Sequence, residues 1–365
     1  MAKRTPLELA RPHLLNLAPY EAVEPPNALA AKAGMPEAST AKLNANENPY
    51  GPSPKVVAMM SSVDHLHIYP DPGQVVMRTA LAKHLGVKIK QVVVGNGSDE
   101  IIDLLFRSLL EPGEVVINCE PTFGMYEFTA QVCGGTTVTI ERNDSFAVDV
   151  DAVLAAVDER TKIIAIASPN NPSGNCTPVE DIERLLQADA LVIVDEAYIE
   201  FGGTSVATWV DQYPNLAVLR TFSKWGGLAG LRVGYGIMSA DLADLMLRAK
   251  PPYNVSQVSE AAMLATLTDV ATLNERAALI ITERNRMMAA LQEMPGVTPL
   301  PSDANFILCR MPDGRGKAVY ESIARQGVFV RYYSRATLAD YLRISVGTHE
   351  QTTQLINAVG QALAE

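Results

Sequence analysis

Short, uninterrupted apolar runs recur along residues 91–220 and alternate with longer segments in which apolar residues return every three or four positions. A run without alternation is typical of a strand buried on both faces, and the longer spacing is typical of an amphipathic helix. The runs predict strands at 91–94, 115–118, 162–167, 191–194 and 217–220. The helical spacing predicts helices at 75–85, 99–110, 126–132, 150–157 and 179–187. Together they predict an α/β fold whose large domain has a mostly parallel central sheet covered by helices.

The pattern changes after the Lys-Pro-Pro sequence at 250–252. A long helical segment at 256–293 precedes predicted strands at 306–309, 328–331 and 342–346. A last helix begins at Thr348, which has capping-box spacing with Gln351. We therefore predict an N-terminal arm at 1–45 that joins the small domain and a partner subunit, a large domain at 46–250, and a small α+β domain at 251–365.

Composition narrows the class of partner. A formal net charge of −11 argues against nucleic acid or an anionic membrane as the main partner. The four cysteines are far apart and form no C-x-x-C pair, so we expect neither a disulfide framework nor a metal site, and a reducing compartment. No apolar segment approaches the length of a bilayer span, and the N-terminus lacks the apolar core of a secretion signal. We expect a folded cytoplasmic protein that acts on small molecules.

Lys224 is the residue with the most informative surroundings. It follows the predicted strand at 217–220 and lies among hydroxyl-bearing and small residues. Burial lowers the pKa of a lysine towards its neutral amine, which forms imines with aldehydes such as pyridoxal phosphate (PLP). Thr221, Ser223 and Arg232 are candidate ligands of that cofactor's phosphate. Taken alone, the Ser-Lys pair is too short to exclude a surface lysine in a glycine-rich loop.

Polar residues also follow two other predicted strands. Asp195 directly follows the predicted strand at 191–194, and a PLP enzyme needs an anion beside the pyridine nitrogen. Tyr198, three residues later, is a candidate hydrogen-bond partner for the 3-oxygen of the ring. Asn171 follows the strand at 162–167 and is a candidate for the same oxygen. A helix cap at Asp195 and ordinary turns at 168–174 are the structural alternatives.

The Gly-Asn-Gly-Ser sequence at 95–98 joins a predicted strand to a predicted helix. Its glycines permit a tight turn, and free N–H groups at the helix start can bind a phosphate, which points to Ser98 and Asp99. Glu100 stands where the third glycine of a dinucleotide-binding motif belongs, so that motif is not met.

Four motifs occur in one order: Asn-Asn-Pro-Ser-Gly at 170–174, Asp-Glu-Ala-Tyr at 195–198, Ser-Lys at 223–224, and Arg232. Together they resemble the fold type I PLP-dependent aminotransferases of the aspartate aminotransferase class. Further segments resemble the histidinol-phosphate aminotransferase family, and they lie at 44–49, 69–72, 97–100, 121–126 and 341–348. The resemblance covers nearly the whole chain.

The resemblance implies a role for each residue around the cofactor. Lys224 forms the imine with PLP (an aldimine) and carries the proton between the substrate Cα and the cofactor. Asp195 pairs with the pyridine nitrogen, Asn171 and Tyr198 contact the 3-oxygen, and Phe123 stacks on the ring. The phosphate is expected to bind the following residues: Ser98, Asp99, Thr221, Ser223, Arg232 and Tyr69 of the partner subunit. A homodimer with shared active sites follows from the last of these.

The resemblance also implies a substrate. Arg343 matches the arginine that binds the α-carboxylate of an amino acid, Arg331 matches the one assigned to a substrate phosphate, and Tyr20 of the partner subunit assists it. Asn46 belongs to the same substrate-binding set. The implied reaction, a step of histidine biosynthesis, moves an amino group between glutamate or 2-oxoglutarate and histidinol phosphate or imidazole acetol phosphate by a ping-pong mechanism.

Alternatives remain open from the residues alone. An aromatic amino acid aminotransferase and a PLP-dependent decarboxylase of phosphorylated amino acids use similar sites, although Arg331 and Tyr20 favour a phosphate-bearing substrate. A nicotinamide-dependent dehydrogenase would use the turn at 95–97, against which the missing glycine counts. An inactive relative that acts as a regulator is disfavoured because the whole polar set is present.

Two features stay outside this set. His65 and His67 have no third candidate ligand nearby in the sequence, so we expect an exposed loop and no metal site. Trp225 directly follows the lysine, where a small or aliphatic residue is expected, and we interpret it as a residue that narrows the pocket.

Overall fold

The structure is a computed structural model that describes residues 3–20, 22–312 and 314–365. Over these residues the α-helices are α1 (Pro26–Ala33), α2 (Pro54–Met60), α3 (Val75–Leu85), α4 (Ser98–Leu109), α5 (Met125–Cys133), α6 (Val150–Ala155), α7 (Val179–Leu185), α8 (Ala240–Ala249), α9 (Gln257–Leu267), α10 (Val270–Gln292), α11 (Gly316–Arg325) and α12 (His349–Ala364). The strands are β1 (Ala41–Lys42), β2 (Val92–Asn96), β3 (Val115–Glu120), β4 (Thr136–Glu141), β5 (Thr161–Ala167), β6 (Leu191–Asp195), β7 (Leu216–Thr221), β8 (Val233–Met238), β9 (Thr298–Pro299), β10 (Phe306–Arg310), β11 (Val328–Phe329), β12 (Arg331–Tyr332) and β13 (Tyr341–Ser345).

A seven-stranded sheet forms the centre of the molecule, in the order β2-β8-β7-β6-β5-β3-β4. β8 runs antiparallel to both of its neighbours, and the other pairs are parallel. The side chains of β3 are buried throughout and those of β5, β6 and β7 almost throughout, as their uninterrupted apolar sequences predict. The predicted mostly parallel sheet is confirmed, and the carboxyl ends of its parallel strands share one edge.

Two smaller sheets are built mainly from the last third of the chain. The strands β12-β13-β10-β9 form an antiparallel sheet, in which Arg331 lies opposite Arg343. Residues opposite each other in neighbouring strands project from the same face, so the two arginines share a face. β1 pairs in parallel with β11, which joins the beginning of the chain to this region.

Three predicted elements differ from the structure. The single helix predicted at 256–293 is two helices, α9 and α10, separated at Thr268 and Asp269. The strand predicted at 328–331 is divided between two sheets as β11 and β12. The predicted arm contains the helix α1. The division into three units stays a prediction, and α9, which lies beyond the predicted border, packs against α2 and α3. No helix in the described part of the chain is long and apolar enough to cross a membrane.

The N-terminal arm folds back onto the end of α5. Arg11 Nη2 donates a hydrogen bond of 2.8 Å to Cys133 O, and His13 Nε2 lies 3.2 Å from Val132 O. Basic side chains suit this position because the carbonyls at the end of a helix lack intrahelical partners. The arm then reaches the start of α5, where the ring of Tyr20 packs edge-on against Phe123, with 6.5 Å between ring centroids.

Candidate active site

A cavity of about 150 Å³ opens at the carboxyl edge of the central sheet, where β5, β6 and β7 end. We call it the strand-end pocket. Ligands of open α/β sheets bind at this edge. It is lined by Ser98, Asp99, Phe123, Tyr126, Ala167, Pro169, Asn171, Asp195, Ala197, Tyr198, Thr221, Ser223, Lys224, Ala229 and Arg232. Ten residues that the sequence predicts for the cofactor are in this list, so the fold brings together segments that are far apart in the chain.

Lys224 lies three residues after the last residue of β7. Its Nζ donates a hydrogen bond of 3.1 Å to Ala45 O and lies 5.8 Å from the centre of the Tyr198 ring. Desolvation and the nearby Arg343 guanidinium lower the pKa of Lys224 from 10.5 to about 8. A substantial fraction of the amine is therefore neutral near physiological pH, as nucleophilic attack and proton transfer require.

Asp195 is the last residue of β6 and is buried. Its Oδ2 accepts a hydrogen bond of 2.8 Å from Tyr126 Oη, and its Oδ1 accepts one of 3.0 Å from the Ala197 backbone N–H. Burial raises the pKa of this carboxyl group to about 6. Its hydrogen-bond partners among the described residues are uncharged, so this buried carboxylate would gain from a cationic ligand, such as a protonated ring nitrogen.

The start of α4 and the Arg232 side chain form a concave surface of N–H donors. Arg232 Nη2 donates a hydrogen bond of 2.8 Å to Asp99 Oδ2. A Cβ atom at Gly97 would lie 2.5 Å from Arg232 Nη2, and one at Gly234 would lie 2.1 Å from Ser98 N. Both positions therefore require glycine, which lets the guanidinium and the helix N-terminus approach one point, as an anion site requires.

The opposite side of the strand-end pocket connects to the antiparallel sheet. Arg343 Nη1 donates to Asn171 Oδ1 at 2.6 Å, and Nη2 donates to Asn44 O at 2.7 Å. The buried Arg343 Nε has no hydrogen-bond partner among the described residues. Asn46 Nδ2 donates to Tyr198 Oη at 3.1 Å, and burial raises the pKa of that tyrosine to about 12. Asn46 and Arg343 thus lie beside the predicted cofactor residues.

A second cavity, of about 450 Å³, adjoins this side and is called the rim cavity here. Thr122 and Gly124 line it while Phe123, between them, lines the strand-end pocket, so the two cavities share a wall. Arg331 and Tyr20 also line the rim cavity. The sequence analysis expects Tyr20 from the partner subunit, whereas here the chain supplies its own Tyr20, because the arm is held against α5.

Four residues named in the sequence analysis lie away from both cavities. Tyr69 is 76% exposed, and its ring stacks on Tyr253 with 4.4 Å between centroids. The prediction for Tyr69 concerns a partner subunit and stays a prediction. His65 and His67 lie in an exposed loop, as expected. The interpretation of Trp225 is wrong, because its ring is buried on the far side of the loop and stacks on His84, with 6.1 Å between centroids.

Sequence reasoning missed Tyr126, the hydrogen-bond donor to Asp195. It lies on the first turn of α5, one helical turn after Phe123, and the rings of these residues meet edge-on at 5.7 Å. The quoted segment at 121–126 contains it, but no local pattern connects a residue of α5 to one that ends β6.

The chain matches the model of the family described as aminotransferase class I and II over residues 39–359. The chain belongs to this family. Histidinol-phosphate aminotransferase of Roseiflexus castenholzii is 43% identical over 96% of this chain and 97% of its own length. A chloroplastic histidinol-phosphate aminotransferase of Nicotiana plumbaginifolia is 42% identical over 96% of this chain and 85% of its own.

Solved structures agree with this aminotransferase assignment. The crystal structure of histidinol-phosphate aminotransferase from Sinorhizobium meliloti in complex with pyridoxal-5'-phosphate has a TM-score of 0.89 and 27% identity, over 97% of both chains. The fold type I architecture is confirmed. The strand-end pocket of this aminotransferase fits PLP on its own features: a lysine amine of lowered pKa, a buried carboxylate, and a donor-lined surface that only glycines permit.

The pKa of Lys224 gives a pH-dependent prediction. Since the pKa is lowered to about 8, the rate at which the PLP-free protein captures PLP covalently should rise as pH increases through 8 and then level off. Below that pH the rate should change about tenfold per pH unit, following the neutral amine. Stopped-flow absorbance measures this, with free Nα-acetyl-lysine in parallel, whose rate should climb to a much higher pH. A rise that the protein shares with the free amine would contradict the lowered pKa.

Proposed function

We propose that this aminotransferase uses PLP to move the amino group of glutamate onto imidazole acetol phosphate, giving 2-oxoglutarate and histidinol phosphate. The observation that carries the proposal is the continuity of one site. Lys224 and Asp195 lie in the strand-end pocket, and Arg331 and Arg343, opposite each other in register, lie at its other side. Relatives over 40% identical along nearly the whole chain bear the name of this activity.

The cofactor, when bound, supplies an aldehyde that accepts the amino group and a ring that delocalises the electrons left by the departing α-proton. Lys224 would take that proton from the substrate Cα and pass it to the cofactor, and would carry a proton in the reverse direction in the opposite half-reaction. Its amine lies in the pocket and is partly neutral near physiological pH, as this role requires. The carboxylate of Asp195 would stabilise a positive charge on the ring nitrogen. Asn171 and Tyr198 donate hydrogen bonds at the pocket wall, and Phe123 offers an apolar face.

The phosphate of the cofactor is proposed to bind at the start of α4. Ser98 and Asp99 offer backbone N–H groups there, Thr221 and Ser223 offer hydroxyls, and Arg232 offers its guanidinium. Thr221 Oγ1 and Ser223 Oγ lie 2.9 Å apart, so their hydroxyls converge on one point. These donors suit a dianion. The negative net charge of the chain does not exclude a bound dianion, because the donors next to it determine the local electrostatic potential.

The substrate is proposed to bind between the two cavities. Arg343 holds the α-carboxylate of glutamate, and Arg331, with Tyr20, takes the phosphate of histidinol phosphate in the rim cavity. Asn46 positions Tyr198 through its hydrogen bond. One site thus serves both substrates in turn, as a ping-pong mechanism requires.

A homodimer is part of the proposal. Leu66, Ile68, Val75 and Val76 expose more than half of their side chains beside the stacked Tyr69. Several exposed apolar side chains in one short segment of the chain are typical of a protein interface. We propose that Tyr69 of the partner subunit completes the phosphate site. The four cysteines form no disulfide, which fits a cytoplasmic location.

Single-turnover absorbance tests the substrate. Histidinol phosphate and phenylalanine are added separately to the PLP-loaded protein, and conversion of the cofactor to its amino form is followed. We expect histidinol phosphate to react at least tenfold faster at equal low concentration, because two additional charge-assisted contacts are each worth more than 1 kcal/mol. Faster reaction with phenylalanine would make the protein an aromatic amino acid aminotransferase instead.

A further inference from the structure

An ion pair crosses the rim cavity between the two largest sheets. Glu120 is the last residue of β3 in the central sheet, and Arg335 lies in the segment between β12 and β13 of the antiparallel sheet. Arg335 Nη1 donates a hydrogen bond to Glu120 Oε2. The glutamate side chain is 6% exposed and the arginine side chain 50% exposed. The buried partner is therefore fixed, and the arginine extends from it towards the cavity.

Glu120 is held by more than this pair. Its Oε1 accepts a hydrogen bond of 2.8 Å from Asn118 Nδ2, and its Oε2 accepts one of 3.3 Å from the Thr122 backbone N–H. A carboxylate fixed from two sides holds the guanidinium in one orientation. Of the five N–H donors of Arg335, Glu120 takes one, and no other hydrogen bond of this side chain is found within the described residues.

The residues around this guanidinium have the chemistry of a phosphate site. Arg331, Tyr20 and Tyr333 line the same cavity as Arg335. Two guanidinium groups and two phenolic hydroxyls can donate to several oxygens of a phosphate monoester at once. The uncharged aromatic side chain of a competing substrate has no oxygens that could accept these charge-assisted hydrogen bonds.

We propose that Arg335 is a specificity-determining residue that binds the substrate phosphate together with Arg331, and that Glu120 is the positioning residue that orients it. The proposal deepens the proposed function and rests on it for the identity of the phosphorylated substrate. When a dianion enters, Arg335 keeps its contact with Glu120 and donates its remaining N–H groups to the phosphate. Without a dianion, Glu120 compensates the charge of Arg335.

The test replaces Arg335 with methionine, which keeps the length and apolar part of the side chain. The KM for histidinol phosphate should rise about tenfold or more, because the variant loses at least one charge-assisted hydrogen bond to the phosphate. The kcat should stay within twofold. The KM for glutamate should stay within twofold, since glutamate carries no phosphate. Arg248→Met is the matched control, because Arg248 pairs with Asp244 on the exposed face of α8. An unchanged KM for histidinol phosphate would overturn the proposal.

Glu120→Gln separates positioning from a structural role. It should raise the KM for histidinol phosphate less than Arg335→Met does, and the double variant should be no worse than Arg335→Met alone, because both act through one guanidinium. Arg335→Lys should recover part of the loss. If both single variants impair glutamate and histidinol phosphate equally, with a lower Tm, the ion pair only joins the sheets and the specificity role is wrong.

Inorganic phosphate keeps the two proposals distinguishable. It is added as a competitor in the glutamate half-reaction of the PLP-loaded protein, where the cofactor already occupies its own phosphate site. The inhibition constant should rise about fivefold or more in Arg335→Met. If the unaltered protein does not react with histidinol phosphate, the proposed function fails. Arg335 is then judged by this constant alone, and an unchanged constant rejects its role.

Discussion

Lys224→Ala is expected to abolish transamination, with kcat lower by roughly 10⁴- to 10⁶-fold, the scale seen when a nucleophile that also moves a proton is removed. No other lysine lines the strand-end pocket, so no neighbouring amine within the described residues can replace it. The measurement is the rate of conversion of histidinol phosphate, together with the absorbance of bound PLP. The variant should still bind PLP without covalent attachment, because the phosphate donors at the start of α4 are untouched.

A matched control is Lys162→Ala. Lys162 is half exposed at the start of β5, where it pairs with Glu114 at 3.2 Å on the opposite edge of the sheet. This variant should keep full activity. If Lys224→Ala retained more than about one hundredth of the activity, the role assigned to Lys224 as nucleophile and proton carrier would be rejected.

Asp195→Asn is expected to have the second largest effect. The amide keeps the shape of the side chain but cannot hold a positive charge at the ring nitrogen. Loss of one partner of a buried charged pair costs about 3 kcal/mol or more, which lowers the half-reaction rate at least roughly 100-fold. Rapid mixing of the PLP-loaded variant with glutamate measures this rate.

Tyr126→Phe is the comparison for Asp195. It removes the 2.8 Å hydrogen bond to the carboxylate and leaves the charge in place. A hydrogen bond from a neutral donor to a charged group is worth about 1.5–3 kcal/mol. The half-reaction rate should therefore fall roughly tenfold to 100-fold, a smaller decrease than that of Asp195→Asn. Equal rates for Asp195→Asn and the unaltered protein would show that the charge is not needed.

Buried strands were the part of the fold most open to prediction, because both of their faces require apolar residues. The sequence analysis did not predict β4, because it is an edge strand that contains three threonines and keeps solvent-exposed positions, so it has no uninterrupted apolar run. The sequence analysis also did not predict β8, because Gly234 and Gly236 are typical of a loop. In the structure these glycines leave room for the start of α4 and for the Met238 side chain. The division between α9 and α10 contains no glycine or proline, so the helical pattern runs across it.

The candidate site divides in a similar way. Residues that directly follow strands were predictable, because parallel strands bring their carboxyl ends to one edge. Contacts between residues of different helices, strands and loops were not predictable, because they depend on how these elements pack. The Tyr126–Asp195 hydrogen bond, the place of Tyr20 in its own chain and the Glu120–Arg335 pair are of this kind. Trp225 shows the same limit, because adjacency to Lys224 in sequence says nothing about which side of the loop its ring occupies.

The pairing of residues 41–46 with the end of the chain sets the order in which the site can form during synthesis. Ala41 N donates to Gly327 O at 2.8 Å, and Asn46 N donates to Ser345 Oγ at 2.8 Å. During synthesis, residues 41–46 leave the ribosome long before Gly327 and Ser345, so the early segment stays unpaired until these partners have been made. Closing so long a loop is slow. All strands of the central sheet are therefore synthesised before Asn46, Tyr198 and Arg343 can meet, and the site is completed only after the last strand has left the ribosome.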